Sequence, residues 1–199
     1  LAGGEVAEMV LRRLDPDVAF DKRIEDGAHV RPGDVAFYVE GRVVSLLQAE
    51  RILLNIMQRM SGVATQTARY VKELEGLKTR VLDTRKTTPG YRNLEKYAVA
   101  VGGATNHRIG LYDRVMIKDN HRELAAMEGA GGIALSVGRA RAKYPELEIE
   151  VEADSLDEVR EAVEAGAEYI MHDNMSDEMM AEAVRIVAGR SKLEASGLS

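Results

Sequence analysis

The chain has 199 residues, 45% of them hydrophobic, and a formal net charge of −6. This suits one large globular domain or one with a smaller companion, and argues against nonspecific binding to nucleic acid. It contains no cysteine, which excludes disulfides, thiolate nucleophiles and cysteine-ligated metals. No run approaches the ~18 consecutive apolar residues of a membrane span, and no basic segment followed by an apolar one marks a signal peptide, so the expected compartment is the cytoplasm.

In chain order, "GEVAEMVLRRLD" has helical spacing at Val6, Met9, Val10 and Leu14. Short alternating segments follow, broken at Asp26-Gly27, Pro32-Gly33-Asp34 and Gly41, which are turn signals within a small β-rich piece. From Ala49 to Leu77 the pattern is strongly helical, with an apolar stripe at Ile52, Ile56, Met60 and Val63, and Gly62 predicts a break into two helices. Beyond Gly76, apolar strands are expected at 80–83, 115–117, 148–153, 169–171 and 192–195. Amphipathic helices at 156–165 and 177–187 separate them, giving the βαβα rhythm of a parallel sheet covered by helices. The chain therefore reads as α/β in two domains. Residues 1–78 form an N-terminal part with long connecting helices, and 79–199 a (β/α) barrel. About five strands are found against the usual eight, so either the chain is incomplete or the sheet is open, and the end just after a strand favours a missing C-terminal part.

Each strand ends in polar residues: Thr84-Arg85-Lys86, Lys118-Asp119-Asn120-His121, Glu152, Asp173-Asn174 and Ser196-Gly197. In a barrel, loops at these ends converge on one mouth. Arg80 to Arg122 holds nine Lys or Arg against four acids, a basic island that suggests a small anionic ligand. Arg85 and Lys86, beside Thr84, Thr87 and Thr88, could meet carboxylate or phosphate oxygens; the alternative is a solvated basic turn. His107 and Arg108 share a glycine-flanked loop, although a lone histidine is more often a structural hydrogen-bonder. Lys118 is either an ion-pair partner or a reactive amine. Glu148, Glu150 and Glu152 alternate with Ile149, Val151 and Ala153, so the three carboxylates share one face. Their burial calls for cations, with Lys86, Lys118 and Mg²⁺ as candidates. Asp173 follows the same logic, while His172 points the opposite way and reads as packing. Ser196-Gly197 could offer a hydroxyl and backbone N–H groups to a phosphate.

Long ordered motifs carry a family resemblance: "AERILLNIMQRMSGVAT" (49–65), "LDTRKTTPG" (82–90), "LEKYAVAVGGATNHRIGLYD" (94–113), "VMIKDNH" (115–121), "EVEADS" (150–155), "HDN" (172–174) and "LEASG" (193–197). Together they resemble the quinolinate phosphoribosyltransferase family. The resemblance implies an N-terminal α/β sandwich domain joined to an incomplete (β/α) barrel, and a homodimer. It also implies transfer of a phosphoribosyl group from phosphoribosyl pyrophosphate to quinolinate, with decarboxylation to nicotinate mononucleotide.

By the same resemblance, Arg85, His107, Arg108 and Lys118 hold the quinolinate carboxylates and Arg51 is supplied across the dimer interface. Lys86 contacts phosphate or pyrophosphate, and Glu152 and Asp173 handle ribose hydroxyls and Mg²⁺. Thr84, Ser196 and Gly197 join the substrate-binding set, and Lys86, Lys118, Glu152 and Asp173 the catalytic one. The family pattern has further residues before Leu1 and a second glycine after Gly197, where this chain has Leu198, so missing segments are expected at both ends. His172 stands where the family usually has an aliphatic residue. Three rivals remain at this level. One is a relative of the same fold acting on another aromatic acid, another is an aldolase using Lys118 as a Schiff-base amine, and the third is a binding protein without turnover.

Overall fold

The computed structural model describes residues 1–129 and 131–197, and the chain divides into two units, Leu1–Ile109 and Gly110–Ser199. The packing division comes later than the change of sequence rhythm at 78/79. The reason is that Ala98 and Val101 pack with Met60 and Ala64, tying the segment after residue 79 to the long helix before it.

The first unit contains α1 (Gly4–Leu14), β1 (Ala19–Lys22), β2 (Phe37–Glu40), α2 (Val43–Glu73) and α3 (Arg92–Val101). The β-rich piece reduces to one antiparallel ribbon, with Ala19 opposite Glu40 and Lys22 opposite Phe37. Ala7 and Leu11 of α1, Val18 beside the ribbon, and Ala49, Leu53 and Met57 of α2 form its core. The expected break at Gly62 is absent, and α2 runs unbroken over 31 residues. A mid-helix glycine costs about 1 kcal/mol relative to alanine, which burial of Met60, Ala64 and Thr67 on either side of it offsets. The buried stripe of α2 is also rotated from the expected one. It runs through Ala49, Leu53, Met57, Met60, Ala64 and Thr67, while Ile52 is 53% exposed.

No strand forms at 80–83. Leu82 makes a single parallel bridge to Thr105, through Thr105 N to Val81 O at 3.0 Å and Asp83 N to Thr105 O at 3.3 Å. The ladder stops there because the backbone N–H of His107 goes to the Asp83 carboxylate instead, which the side-chain amide of Asn106 also meets.

The second unit contains β3 (Val115–Ile117), α4 (Asp119–Ala126), α5 (Gly132–Lys143), β4 (Ile149–Ala153), α6 (Leu156–Glu164), β5 (Tyr169–Asp173), α7 (Asp177–Val187) and β6 (Lys192–Ser196). Its strands form a four-stranded sheet in the order β3-β4-β5-β6, parallel throughout. Ile117, Ile149, Val151, Ala153 and Ile170 pack with Ile133, Val137, Val159, Ala162, Ala183 and Val187 of the helices. Ser155 and Ser176 cap α6 and α7 by accepting from the N–H groups of Glu158 and Met179. No helix among the described residues is long and apolar enough to cross a membrane. Leu198, where the family pattern has its second glycine, lies outside the described residues.

Candidate active site

In the second unit, strand alternation turns the apolar side chains to the helices and leaves charged ones on the other face. Glu150 pairs in register with Met116 and Tyr169, and Tyr169 with Lys192. Glu150 is 0% exposed. Within its own unit Arg114 is the cation beside it, where Lys118 was a candidate. One guanidinium nitrogen of Arg114 lies 3.3 Å from Glu150 and 3.1 Å from Glu194, and the other lies 3.7 Å from Glu148. The guanidinium also stacks 3.8 Å from the Tyr169 ring centroid, as its planar charge favours. The two-residue period through Arg114, Met116 and Lys118 carried the signal for this residue.

The C-terminal ends of the strands hold the sequence-predicted residues of this unit. Lys118 Nζ donates to Glu152 Oε2 at 2.7 Å, the ion pair foreseen as one of its two roles. Lys118 precedes α4, and its backbone N–H donates to His121 Nδ1 at 3.0 Å, fixing the turn into that helix. Arg122, one turn on, donates to Glu152 O at 2.8 Å, to Glu158 at 2.6 Å and to Asp154 at 3.1 Å. It thereby binds the end of β4 to α4.

Asp173 ends β5 opposite Ser196 of β6. It is half-buried and makes no ion pair among the described residues. Beyond it the strand ends close together. Asn174 adopts φ 54° and donates its N–H to Ser196 O at 3.1 Å. Gly197 has φ 72°, and a Cβ there would fall 2.1 Å from Asn174 Oδ1, so only glycine fits. His172 faces the helices at 3% exposure, and its Nε2 has no hydrogen-bond partner. Burial pushes its pKa below the ordinary 6.5.

The first unit holds Arg51, Thr84, Arg85, Lys86, His107 and Arg108. Arg51 is exposed on α2, and His107 and Arg108 are half-buried. Lys86 is exposed, and its N–H donates to Thr84 Oγ1 at 3.0 Å, a local bond that shapes the turn. Arg85 has its Nε buried without a hydrogen-bond partner.

Three residues that sequence reasoning passed over hold this loop. Arg92 of α3 donates to Arg85 O at 3.4 Å, Thr87 Oγ1 at 3.3 Å and Ile109 O at 3.1 Å. Arg59 of α2 donates to Thr88 Oγ1 at 3.1 Å and Glu95 at 2.7 Å. Lys96 of α3 forms an ion pair with Asp83 at 2.5 Å, both side chains being almost wholly buried. All three lie on helices, and only the folded chain brings their partners near.

These features define an α/β protein with a parallel sheet whose strand ends carry Lys118, Glu152, Asp173 and Ser196, and a first unit whose loop carries Arg85 and Lys86. The chain belongs to the quinolinate phosphoribosyl transferase family. It matches that family's N-terminal domain over residues 1–61 and its C-terminal domain over residues 63–198. It is 43% identical over 201 residues to the probable nicotinate-nucleotide pyrophosphorylase [carboxylating] of Synechocystis sp., covering 99% of this chain and 66% of that relative. A Bacillus subtilis relative of the same description is 40% identical over 197 residues, covering 98% of this chain and 66% of its own length. The crystal structure of NadC from Streptococcus pyogenes superposes with a TM-score of 0.91 at 43% identity, over 100% of this chain and 69% of that one. The chain thus spans about two thirds of the length of these curated relatives.

Proposed function

We propose that this chain carries out phosphoribosyl transfer from phosphoribosyl pyrophosphate to quinolinate, with loss of CO₂, to give nicotinate mononucleotide and pyrophosphate in NAD biosynthesis. The observation that carries the reading is Arg85, in a chain of this family: a guanidinium with a buried, unpartnered Nε on a loop with Lys86 is a donor awaiting an anion. Quinolinate is a dicarboxylate and its co-substrate a polyphosphate, so both need such donors.

In this reading Arg85, His107, Arg108 and Lys118 hold the carboxylates of quinolinate. Lys86 takes phosphate or pyrophosphate oxygens, with Thr84, Ser196 and Gly197 as further contacts. The pyridine nitrogen attacks the anomeric carbon directly, so no protein nucleophile is required. The side chains orient the two reactants and stabilise charge as it develops. Lys118 is occupied by its ion pair with Glu152, which suits a positioned cation better than a Schiff-base amine. Cations beside the ring stabilise the electron pair left when CO₂ departs.

Asp173, half-buried at its strand end, has the character of a hard-cation ligand. Glu152 already shares an oxygen with Lys118. Among the described residues neither belongs to a group of three metal-capable side chains, so Mg²⁺ would be held by Asp173 and Glu152 with substrate oxygens completing the set. Bound there, Mg²⁺ supplies neutralisation of pyrophosphate charge.

A homodimer in which Arg51 serves the neighbouring subunit, and a cytoplasmic setting, belong to the same proposal. Support for the dimer comes from the start of α2, where Val43, Val44 and Leu47 are 69%, 67% and 66% exposed a turn or two before Arg51.

Incubating the protein with quinolinate, phosphoribosyl pyrophosphate and Mg²⁺ tests the reaction. Release of CO₂ with formation of nicotinate mononucleotide, dependent on both substrates, is expected. Absence of both products overturns the proposal.

A further inference from the structure

Asp83, on the loop before α3, and Lys96 of α3 form an almost wholly buried ion pair in the first unit, with side chains 6% and 5% exposed. Their side-chain hydrogen bonds end on each other and on Asn106 and His107 of a single loop. Asp83 Oδ1 accepts from Lys96 Nζ at 2.5 Å and from the backbone N–H of His107 at 2.7 Å. Lys96 Nζ also donates to the carbonyl of His107 at 2.9 Å. The Asn106 amide donates to Asp83 Oδ2 at 2.6 Å and to Lys96 O at 2.8 Å. One member of the pair therefore holds the N–H of His107 and the other its C=O, so the peptide groups on either side of His107 cannot rotate without breaking a charge-assisted bond. Arg85 follows Asp83 by two residues, and Arg108 follows His107 directly.

We propose that the Asp83–Lys96 pair is the positioning device for the carboxylate-binding residues of this unit. It locks the loop bearing Arg85 to the loop bearing His107 and Arg108, and so sets the spacing that a rigid aromatic dicarboxylate meets. The inference rests on the phosphoribosyl-transfer reading above. A buried ion pair adds little stability over an apolar pair of the same shape, so its use here lies in geometry. Misplacing substrate-holding groups by about 1 Å can cost about 100-fold in rate.

The test compares wild type, Asp83→Asn and the double variant Asp83→Asn/Lys96→Met. Steady-state KM is measured for each substrate, with a melting curve for each protein. Asp83→Asn leaves Lys96 buried without its counter-charge and lowers the melting temperature. The double variant removes both charges and recovers it, but has no donor for the His107 carbonyl. For positioning, KM for quinolinate rises about tenfold or more in both variants, while KM for phosphoribosyl pyrophosphate rises by a smaller factor, because only Thr84 and Lys86 of its contacts lie on the locked loops. A wild-type KM for quinolinate in the folded double variant, or an equal rise in both KM values, overturns the proposal. If the wild type gives no turnover, the phosphoribosyl-transfer reading fails by itself. Hydrogen exchange at the His107 amide then decides the pair: exchange about tenfold faster in the double variant supports it, and wild-type exchange overturns it.

Discussion

A guanidinium kept with a buried, unpartnered Nε costs free energy until an acceptor completes it. At Arg85 this predicts a large effect from small changes. Arg85→Ala should lower kcat/KM for quinolinate by about 100-fold or more, and Arg85→Lys should not restore it, because an ammonium cannot present the planar fork that meets a carboxylate in two places. Near-normal turnover in either variant would remove Arg85 from the site. His172 shows the same cost without a ligand to relieve it. Its ring is buried on the helix side of β5 with Nε2 unpartnered, and burial alone depresses its pKa below 6.5. The unfolded chain therefore binds more protons than the native one between the depressed value and 6.5. The stability contribution is full above about pH 6.5 and is lost as pH falls from there, at up to about 1.4 kcal/mol per pH unit. His172→Leu should flatten that slope and add about 1–3 kcal/mol by removing the unsatisfied nitrogen. Urea denaturation at pH 5.5 and pH 8 reads both effects, and an unchanged slope would contradict them.

At the scale of elements, α1 has no capping side chain of its own: its N-cap is Gly3. The cap arrives from the turn at residue 26, where the Asp26 carboxylate accepts from the N–H groups of Gly3 and Gly4 at 2.7 and 3.0 Å and places negative charge at the positive end of the helix. The Tyr97 hydroxyl on α3 joins it at 2.9 Å. Burial, reinforced by this carboxylate, pushes the Tyr97 pKa up to about 12. Asp26→Ala should cost about 1–2 kcal/mol by chemical denaturation, and a change within error would mean that water caps α1 equally well. The sequence offered Asp26-Gly27 only as a turn, because a cap that acts across 22 or 23 residues leaves no local pattern. Local rules served better where burial is periodic. The alternation of Glu148 to Ala153 showed which side chains face the helices, and Ser155 and Ser176 stand where capping chemistry places them. They failed where tertiary contacts outweigh propensity. Gly62 does not break α2, the stripe of α2 runs through Leu53 and Met57 in place of Ile52 and Ile56, and the strand expected at 80–83 shrinks to one bridge because Asp83 turns to Lys96 and Asn106.

For the whole molecule, the family could be read in the sequence because its chemistry lies in contiguous motifs such as "LDTRKTTPG" and "VMIKDNH". What holds those motifs in place could not: Arg59, Arg92 and Lys96 act through partners that only folding brings near. The proposed dimer gives the sharpest test at this scale, because it divides one active site between two chains. If Arg51 serves the neighbouring subunit while Lys118 serves its own, Arg51→Ala and Lys118→Ala should each be nearly inactive as pure proteins. Unfolding them together and refolding the equal mixture yields about half heterodimers by random pairing. Each heterodimer contains one site that lacks both functional residues and one that has both intact. The mixture should therefore recover about one quarter of wild-type kcat at unchanged KM, since every recovered site is a wild-type site. No recovery, with dimers shown by sedimentation, would place Arg51 in the site of its own chain.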